Sequence, residues 1–534
     1  MGLAAQTPKH EVRAVWLTTL NSLDWPGVKA TNSESAERQK RQLTTILDNL
    51  SKANVNTILL QTRVRGTTIY PSEIEPFDPC LTGTAGRSPG YDPLQFAIDE
   101  CHKRGMELHA WVVAIPVGKW NGPGCKRLRD RYSSLIRKIG DEGYMNPEQT
   151  QTGDYIARIC GEIVDKYDVD GIHLDYIRYP ENWKQTSGKA KGREYITSIV
   201  RRIHQRVKDS KPWVKLSCSP IGKFRNLTRY PANGWNAYDV VCQDAQGWLR
   251  DGLMDQLYPM MYFKGDNFYP FAVDWADNTY GRTVVSGLGI WLLSRKEGSN
   301  WPLMEITREL NVTRSLGLGH CYFRSRFFTD NVKGLYSYVS RDFDKYPALI
   351  PPMVWQSSAL PRRPKDISLH NNGNFLRIKW QGATATNDTP YLMYNVYCSQ
   401  NYPVDTKDVR NLIAHHLRGT SLTIGKDDGQ HYYAVTAMDR YGNESEPIQS
   451  KIVAQPTIEL LKNDGTRLQL PEISPDFGTK YIRIESAVGN TMLTRPYNGE
   501  SLTIRSLPDG VYTVKSVDKH KNARRIGQFI IKRW

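Results

Sequence analysis

VDGIHLDYIRYP, residues 169–180, is the stretch on which the fold turns. Its apolar residues Val169, Ile172 and Leu174 make a buried strand. That strand ends by presenting Asp175, Tyr176, Arg178 and Tyr179 in quick succession. A carboxylate at a strand's C-terminal end, ringed by aromatics and a cation, suits carbohydrate chemistry: the acid supplies charge or protons and flat rings stack on sugar faces. The same pattern also fits a structural Asp175–Arg178 ion pair. Similar strand ends recur along the first 350 residues, and this recurrence carries the reading outward.

Apolar strands are expected at 12–19, 55–61, 107–114, 169–175, 214–219, 255–262, 283–290 and 319–324. Amphipathic helices fall between them. In 34–53, Leu43, Ile46, Leu47 and Leu50 follow i, i+3, i+4, i+7 spacing. The helix near 92–104 opens on Asp92-Pro93 and stops at Gly105, and further apolar stripes run through 148–167 and 192–208. Eight strand–helix units in about 340 residues predict an α/β TIM (β/α)8 barrel over 11–350. An open doubly wound sheet is the alternative, but no glycine-rich phosphate loop follows any strand.

Residues 351–364 change character, with prolines and no helical period, and read as a linker. Beyond it, strands at 375–380, 392–398, 421–424 and 431–438 predict a β-sandwich over 365–453. A second small sandwich is expected over 456–534, with strands at 480–485, 501–505, 510–516 and 526–532.

The net charge of +16 implies an anionic partner, an acidic glycan or cell-wall polymer among them, or simply a solvated basic surface. The charges are dispersed and no nucleic-acid motif is present, so no nucleic acid is expected. No apolar run is long enough to span a membrane. Residues 1–10 lack an apolar core, and the chain is expected to be a mature secreted, periplasmic or cell-surface form whose leader has been removed. The eight cysteines show no metal spacing; Cys101 and Cys160 belong on buried helix faces, while Cys80 and Cys125, in loops, are candidates to pair. No HExxH, calcium loop or paired histidines call for a metal, and no cofactor is expected. Oligomeric state is not legible.

In a TIM barrel the active site forms at the C-terminal strand ends. Those ends supply Trp16, with Asp24 in the loop beyond; Arg63 and Arg65; Trp111; His173, Asp175, Tyr176, Arg178 and Tyr179; Ser217 and Ser219; Tyr258 and Tyr262; Trp291; and Arg324. This predicts an aromatic- and arginine-lined cup with few carboxylates. Each residue, taken singly, fits packing as well as function. His173 shares a face with Asp175, so it is expected to bond the acid or a sugar hydroxyl, or to be a buried structural histidine.

At these residues a resemblance emerges. EVRAVWLTTLNSLDWP (11–26), QTRVRGTTIYPSEIEPF (61–77), DGIHLDYIRYP (170–180), LSCSPIG (216–222) and DAQGWLRDGLMDQLYPMMYF (244–263) resemble the glycosyl hydrolase-like 10 family of bacterial barrels, in order, over about 11–350. The resemblance implies action on glycans, for some members on peptidoglycan strands stripped of peptides. It implies Asp175 as the strand-four acid and Asp244 as an acid between strands five and six. The strand-four run also resembles the nucleophile strand of α-amylase-type barrels. Those barrels place a general-acid Glu at the end of strand five, whereas here LSCSPIG carries no acid. Glycoside hydrolysis ordinarily uses two carboxyls; Asp175 is expected to be one, with Asp244, then Glu181, Asp24 and Glu73, ranked for the other. Asp244 equally suits a helix cap for GWLRDGL. The run through Trp380, Tyr394, Tyr397 and YYAVTAMDRYGNESEP (432–447) resembles a fibronectin type III domain. SLPDGVYTVKS with IGQFIIKRW resembles C-terminal β-modules of secreted Bacteroidetes proteins.

The expectation is therefore a glycoside hydrolase cleaving peptide-free cell-wall glycan. The alternatives are a hydrolase of a dietary or host polysaccharide, and a silent glycan-binding protein. Arg63, Arg65, Arg178 and Arg324 would pair with substrate carboxylates.

Overall fold

The computed structural model describes residues 7–372, 375–425, 431–454, 460–473, 478–499 and 501–533. Among the expectations above, the one on the leader rests partly on residues 1–6, and the second sandwich begins at 456; both positions lie outside the described residues.

Eight parallel strands close on themselves: β1 (Arg13–Leu17), β2 (Thr57–Val64), β3 (Glu107–Val113), β4 (Gly171–Asp175), β5 (Lys215–Cys218), β6 (Gln256–Leu257), β7 (Thr283–Leu288) and β8 (Gly319–Tyr322). Closure is made by β1, which pairs with β2 on one side (Val15 opposite Ile58) and β8 on the other (Val15 opposite Tyr322). The fold is a TIM barrel. Strand β6 is shorter than expected because Pro259 has no N–H to donate to the ladder; beyond it Met260 holds only isolated bridges to Ile221 and Gly287.

Helices α1 (Ser33–Lys52), α2 (Pro93–His102), α3 (Thr150–Lys166) and α4 (Lys189–Ser210) follow β1 to β4. Their starts are written in the sequence: Asn32 and Ser35 form a capping box for α1, and Asp92 accepts from Leu94 and Gln95 N–H with Pro93 in the first turn of α2. Helices α5 (Ala245–Arg250), α6 (Tyr269–Asp277), α7 (Leu303–Ser315) and α8 (Ser325–Thr329) complete the ring. Between β3 and α3 the chain adds a helix, Pro123–Tyr132, and a three-stranded antiparallel sheet of Pro116–Lys119, Glu142–Met145 and Ile136–Ile139.

The N-terminal end of the barrel is tied by a repeated device. The residues immediately before β2, β4 and β6 are Asn56, Asp170 and Asp255, and each side chain accepts a backbone N–H from the preceding strand: Arg13 at 2.9 Å, Leu108 at 2.8 Å and Leu216 at 2.8 Å. Buried ion pairs surround it. Glu11 and Asp344 share Arg13 and Arg314, and Asp344 also meets His320 Nε2 at 3.0 Å. Glu11, His320 and Asp344 bring potential metal-ligand atoms within 4.8 Å of one another. The two guanidiniums already neutralise that cluster.

All eight cysteines are free and seven are buried; the candidates Cys80 and Cys125 are not paired. Both thiols are spent on packing; Cys125 Sγ lies against Gly143. Among the described residues no helix is long and apolar enough to cross a membrane.

The barrel unit runs to Leu360 and also includes Asn387–Tyr391 and Asp439–Asn443. The second unit holds antiparallel sheets. One set comprises three strands (Lys365–Asn371, Leu376–Gln381, Ser421–Ile424) and four strands (Leu412–Leu417, Met393–Ser399, Tyr432–Met438, Ile448–Gln449), closed over Leu376, Ile378, Trp380, Tyr394, Val396 and Val435. The other is a four-stranded sheet (Thr491–Pro496, Thr479–Ser486, Gly510–Asp518, Ala523–Ile531) with a two-stranded ribbon, Arg467–Leu468 and Leu502–Thr503. Its core is Ile482, Ile484, Val514 and Phe529.

Candidate active site

The barrel interior rises in two polar layers beneath the C-terminal mouth. In the lower one, His173 of β4 lies between Trp16 of β1, whose indole N–H donates to Nε2 at 3.2 Å, and Ser217 of β5, 2.9 Å from Nδ1. Burial pushes the imidazole pKa well down, so the ring is neutral, with Nε2 as acceptor and the proton on Nδ1 toward Ser217. Tyr258 packs edge-on against both rings, 5.0 Å from His173 and 6.1 Å from Trp16. Gly287 lets the Trp16 ring lie close: a Cβ there would stand 2.8 Å from the indole edge.

Asp175 forms the upper layer. It is the last residue of β4 and is 8 % exposed. Oδ1 accepts from Ser219 Oγ at 2.9 Å and from the Tyr176 N–H at 2.8 Å, and Oδ2 accepts from Trp111 Nε1 at 3.2 Å. Tyr176 sits at φ 52°, a left-handed conformation uncommon outside glycine, and this turn folds its N–H back onto the carboxylate. Burial raises the carboxyl's pKa; Ser219, Arg178, the Tyr176 N–H and Trp111 work in the opposite direction. Oδ1 has two donors and Oδ2 one, so Oδ2 is the oxygen with acceptor capacity to spare among the described residues. Tyr262, half-buried and tilted on Phe323 at 5.4 Å, lies close enough for Asp175 to raise its hydroxyl pKa, although burial is the larger cause.

The expected cup is sorted by burial and pairing. Arg63 is wholly enclosed, donating to Glu75 at 2.9 and 2.7 Å and to the Val113 and Ala114 carbonyls, so its donors are taken up as a strut under the mouth. Trp16, His173 and Tyr258, expected at the substrate, lie packed in the barrel interior: each is at most 2 % exposed, and the Tyr258 hydroxyl donates to Gln256 Oε1 at 3.0 Å. Trp111 orients Asp175. Arg178 is 2 % exposed and donates to Glu181 at 2.8 Å while covering the Tyr176 ring at 4.2 Å. Tyr179 is buried edge-on against Trp183. Arg324 is held by Asp24 at 2.7 Å and Glu297 at 3.3 Å. Asp24 is in turn filled by Thr18 and the Arg326 N–H. Asp244 accepts the Gly247 N–H at 3.2 Å and caps α5, and Glu73 is exposed, paired with Lys166. Tyr176, Tyr262 and Trp291 remain part-exposed, and Arg65 is exposed.

Arg65 edges a cavity of about 390 Å³ between the loop after β1, the turn after β2 and the inserted sheet. It sits at φ 57°, bonds only Asn21 Oδ1 at 3.0 Å, and has no carboxylate partner among the described residues. The wall is close-fitting: a Cβ on Gly124 would run into the Arg65 carbonyl oxygen. Gln61 holds the other wall, its Oε1 accepting from Thr19 and Leu20 N–H at 3.1 and 2.8 Å. The inserted sheet was not read from the sequence, although Gly and Pro punctuation through 115–147 marks it. Ser219 as a direct partner of Asp175 was also missed; its place one residue past β5 was the available signal.

The model of the glycosyl hydrolase-like 10 family matches residues 11–191 and 190–288. Glycosyl hydrolase YngK of Bacillus subtilis is 29 % identical over 82 % of this chain and 92 % of its own length. Glycosyl hydrolase DigH of Escherichia coli K12 is 32 % identical over 48 % of this chain and 67 % of its own. Among solved structures, the catalytic domain of a beta-amylase from Paenibacillus polymyxa overlays with a TM-score of 0.43 and 8 % identity, over 64 % of this chain and 99 % of that one. The family match takes in both the β4 strand that ends at Asp175 and the turn after β2 that carries Arg65, and on that footing the chain belongs to the glycosyl hydrolase-like 10 family.

Proposed function

We propose that this protein hydrolyses the O-glycosidic bonds of a bacterial cell-wall glycan freed of its peptides, working outside the cytoplasm. The observation that carries the reading is Asp175: a nearly buried carboxyl, gripped by three donors, at the C-terminal end of β4 with Oδ2 available. Burial favours its protonated form, which suits a proton donor to the leaving oxygen. For the opposite role we assign Glu181, tied to Arg178, in preference to Asp244, whose carboxylate serves as a helix cap. Arg65 supports an acidic substrate, because it alone of Arg63, Arg65, Arg178 and Arg324 is exposed and without a carboxylate among the described residues; the lactyl group exposed on peptide-free muramic acid has the right charge. The seven strands of 365–449 suit a fibronectin type III-like accessory module.

The test is mass-spectrometric product analysis on peptide-free peptidoglycan strands, comparing the intact chain with Asp175→Asn and Glu181→Gln. Fragments from the intact chain only are expected. Retention of the strands by the protein without cleavage would instead favour glycan binding alone, a reading supported by the absence of an acid in the β5 terminus Ser217–Ser219. Arg65→Ala should weaken binding of an acidic glycan more than of a neutral one; equal losses would remove the acidic-substrate reading.

A further inference from the structure

A cavity of about 440 Å³ opens at the other end of the barrel, among the N-terminal ends of β1, β7 and β8. It is edged by Thr279, Arg282, Thr283, Pro352, Val354 and Trp355. Strands running parallel place this cavity on the face opposite Asp175.

Arg282 separates this cavity from ordinary packing space. The buried arginines 13, 63, 178, 314, 324 and 440 each meet a carboxylate. Arg282 is half-buried, its Nε has no acceptor, and no carboxylate pairs with it among the described residues. Its guanidinium lies 4.5 Å from the centre of the Trp355 ring. Burial lowers its pKa, and Asp255, the charge opposing that effect, is already committed to Lys208, the Leu216 N–H and Trp355 Nε1. A half-buried guanidinium with no carboxylate of its own keeps its Nε–H for an incoming oxyanion. The flank supplies more: an indole, prolines and Val354 offer an apolar surface, and two threonines offer hydroxyls. The volume lies within the usual range of small-ligand sites.

We propose that this cavity is a second binding site, for a carboxylate-bearing sugar, with Arg282 taking the carboxylate and Trp355 and Pro352 flanking the ring's apolar face. It stands independently of hydrolysis at Asp175.

Isothermal titration of the full chain with glucuronate, glucose and inorganic phosphate tests it, alongside Arg282→Met, Arg282→Lys and Asp175→Asn. Glucuronate should bind and glucose should not. Arg282→Met, which keeps the side-chain stem, should weaken glucuronate by about tenfold or more, and Arg282→Lys should also weaken it through loss of the planar fork. Asp175→Asn should leave this binding unchanged, so failure of the catalytic reading would be seen separately. No glucuronate binding, binding of phosphate alone, or binding untouched in both Arg282 variants would overturn the proposal.

Discussion

Glu309 projects from α7 into the wall of the barrel, fully buried, and neither carboxyl oxygen has a hydrogen-bond partner among the described residues. Burial, with a smaller contribution from Glu305, pushes its pKa from 4.5 to about 9. The folded protein therefore holds this proton at neutral pH while the unfolded chain releases it. The native state binds more protons than the unfolded state between those two values, so stability falls as pH rises from about 4.5 to about 9 and levels off above. Each pH unit in that window costs about 1.4 kcal/mol, hence about 3 kcal/mol at pH 7 and about 6 kcal/mol by pH 9. Glu309→Gln keeps the shape and stays neutral at every pH. The variant should match the parent near pH 4.5 and exceed it by about 3 kcal/mol at pH 7. Urea unfolding followed by tryptophan fluorescence reads this directly, since 12 of the 14 tryptophans lie before residue 361. A stability difference that stays constant from pH 5 to pH 8.5, or a variant weaker throughout, would refute the reasoning.

Removing the Ser219 hydroxyl takes one donor from a buried carboxylate, an interaction worth about 1.5–3 kcal/mol, so Ser219→Ala should raise the Asp175 pKa by about one to two units. The pH profile of kcat/KM checks this through the limb that belongs to Asp175. Arg314→Met removes one of the two guanidiniums that Glu11 and Asp344 share, leaving Arg13 and His320 beside them, and should destabilise by about 3 kcal/mol in thermal or urea unfolding. Burial is outweighed by Arg13 and His320, with a smaller contribution from Arg314, and Asp344 is held at about 2, so the stability it contributes is present above its ordinary value of 3.8 and is lost as pH falls toward about 2; acid unfolding of the parent should show that loss, and the variant only slightly less of it. Gly124→Ala forces a methyl against the Arg65 carbonyl and should raise KM for an acidic glycan well before it alters kcat, a split that steady-state kinetics resolves.

The barrel was legible because its signals are local. Asp92-Pro93 opens α2 where expected, and Leu43, Leu47 and Leu50 bury one face of α1. Residue spacing also placed Asp175 on the right strand end. It could not separate a side chain that faces the mouth from one that fills the interior below it: Trp16, Arg63, His173 and Tyr258 are the right residue types at strand ends, yet each packs on or bonds to a residue far away in the chain. Arg63 meets Val113, fifty positions on, and Trp16 meets His173 across 157. Such pairings are set by barrel closure and leave no mark on local pattern. Asp244 is the opposite case: the local reading as a helix cap and the family reading as an acid both fit the sequence, and the carboxylate accepts the Gly247 N–H three residues on, as the local reading expects.

That distribution bears on how Asp175 is tuned. The barrel keeps its charged pairs in the N-terminal floor and around the rim, where Arg13, Arg314, Arg178 and Arg324 are each matched by carboxylates. The layer directly beneath Asp175 is neutral: Trp16, His173, Ser217 and Tyr258. A protonated His173 there would favour the ionised form of Asp175 from below. Its burial between an indole donor and a serine keeps it neutral, so the acid's proton affinity is left to burial on one side and to Ser219, Trp111, the Tyr176 N–H and Arg178 on the other. Each of those opposing contacts is a single bond or a single charge. An acid balanced in this way is sensitive to what enters the mouth: a sugar ring that displaces water above Oδ2 deepens the burial and pushes the pKa further up, so the proton is held most tightly when substrate is bound.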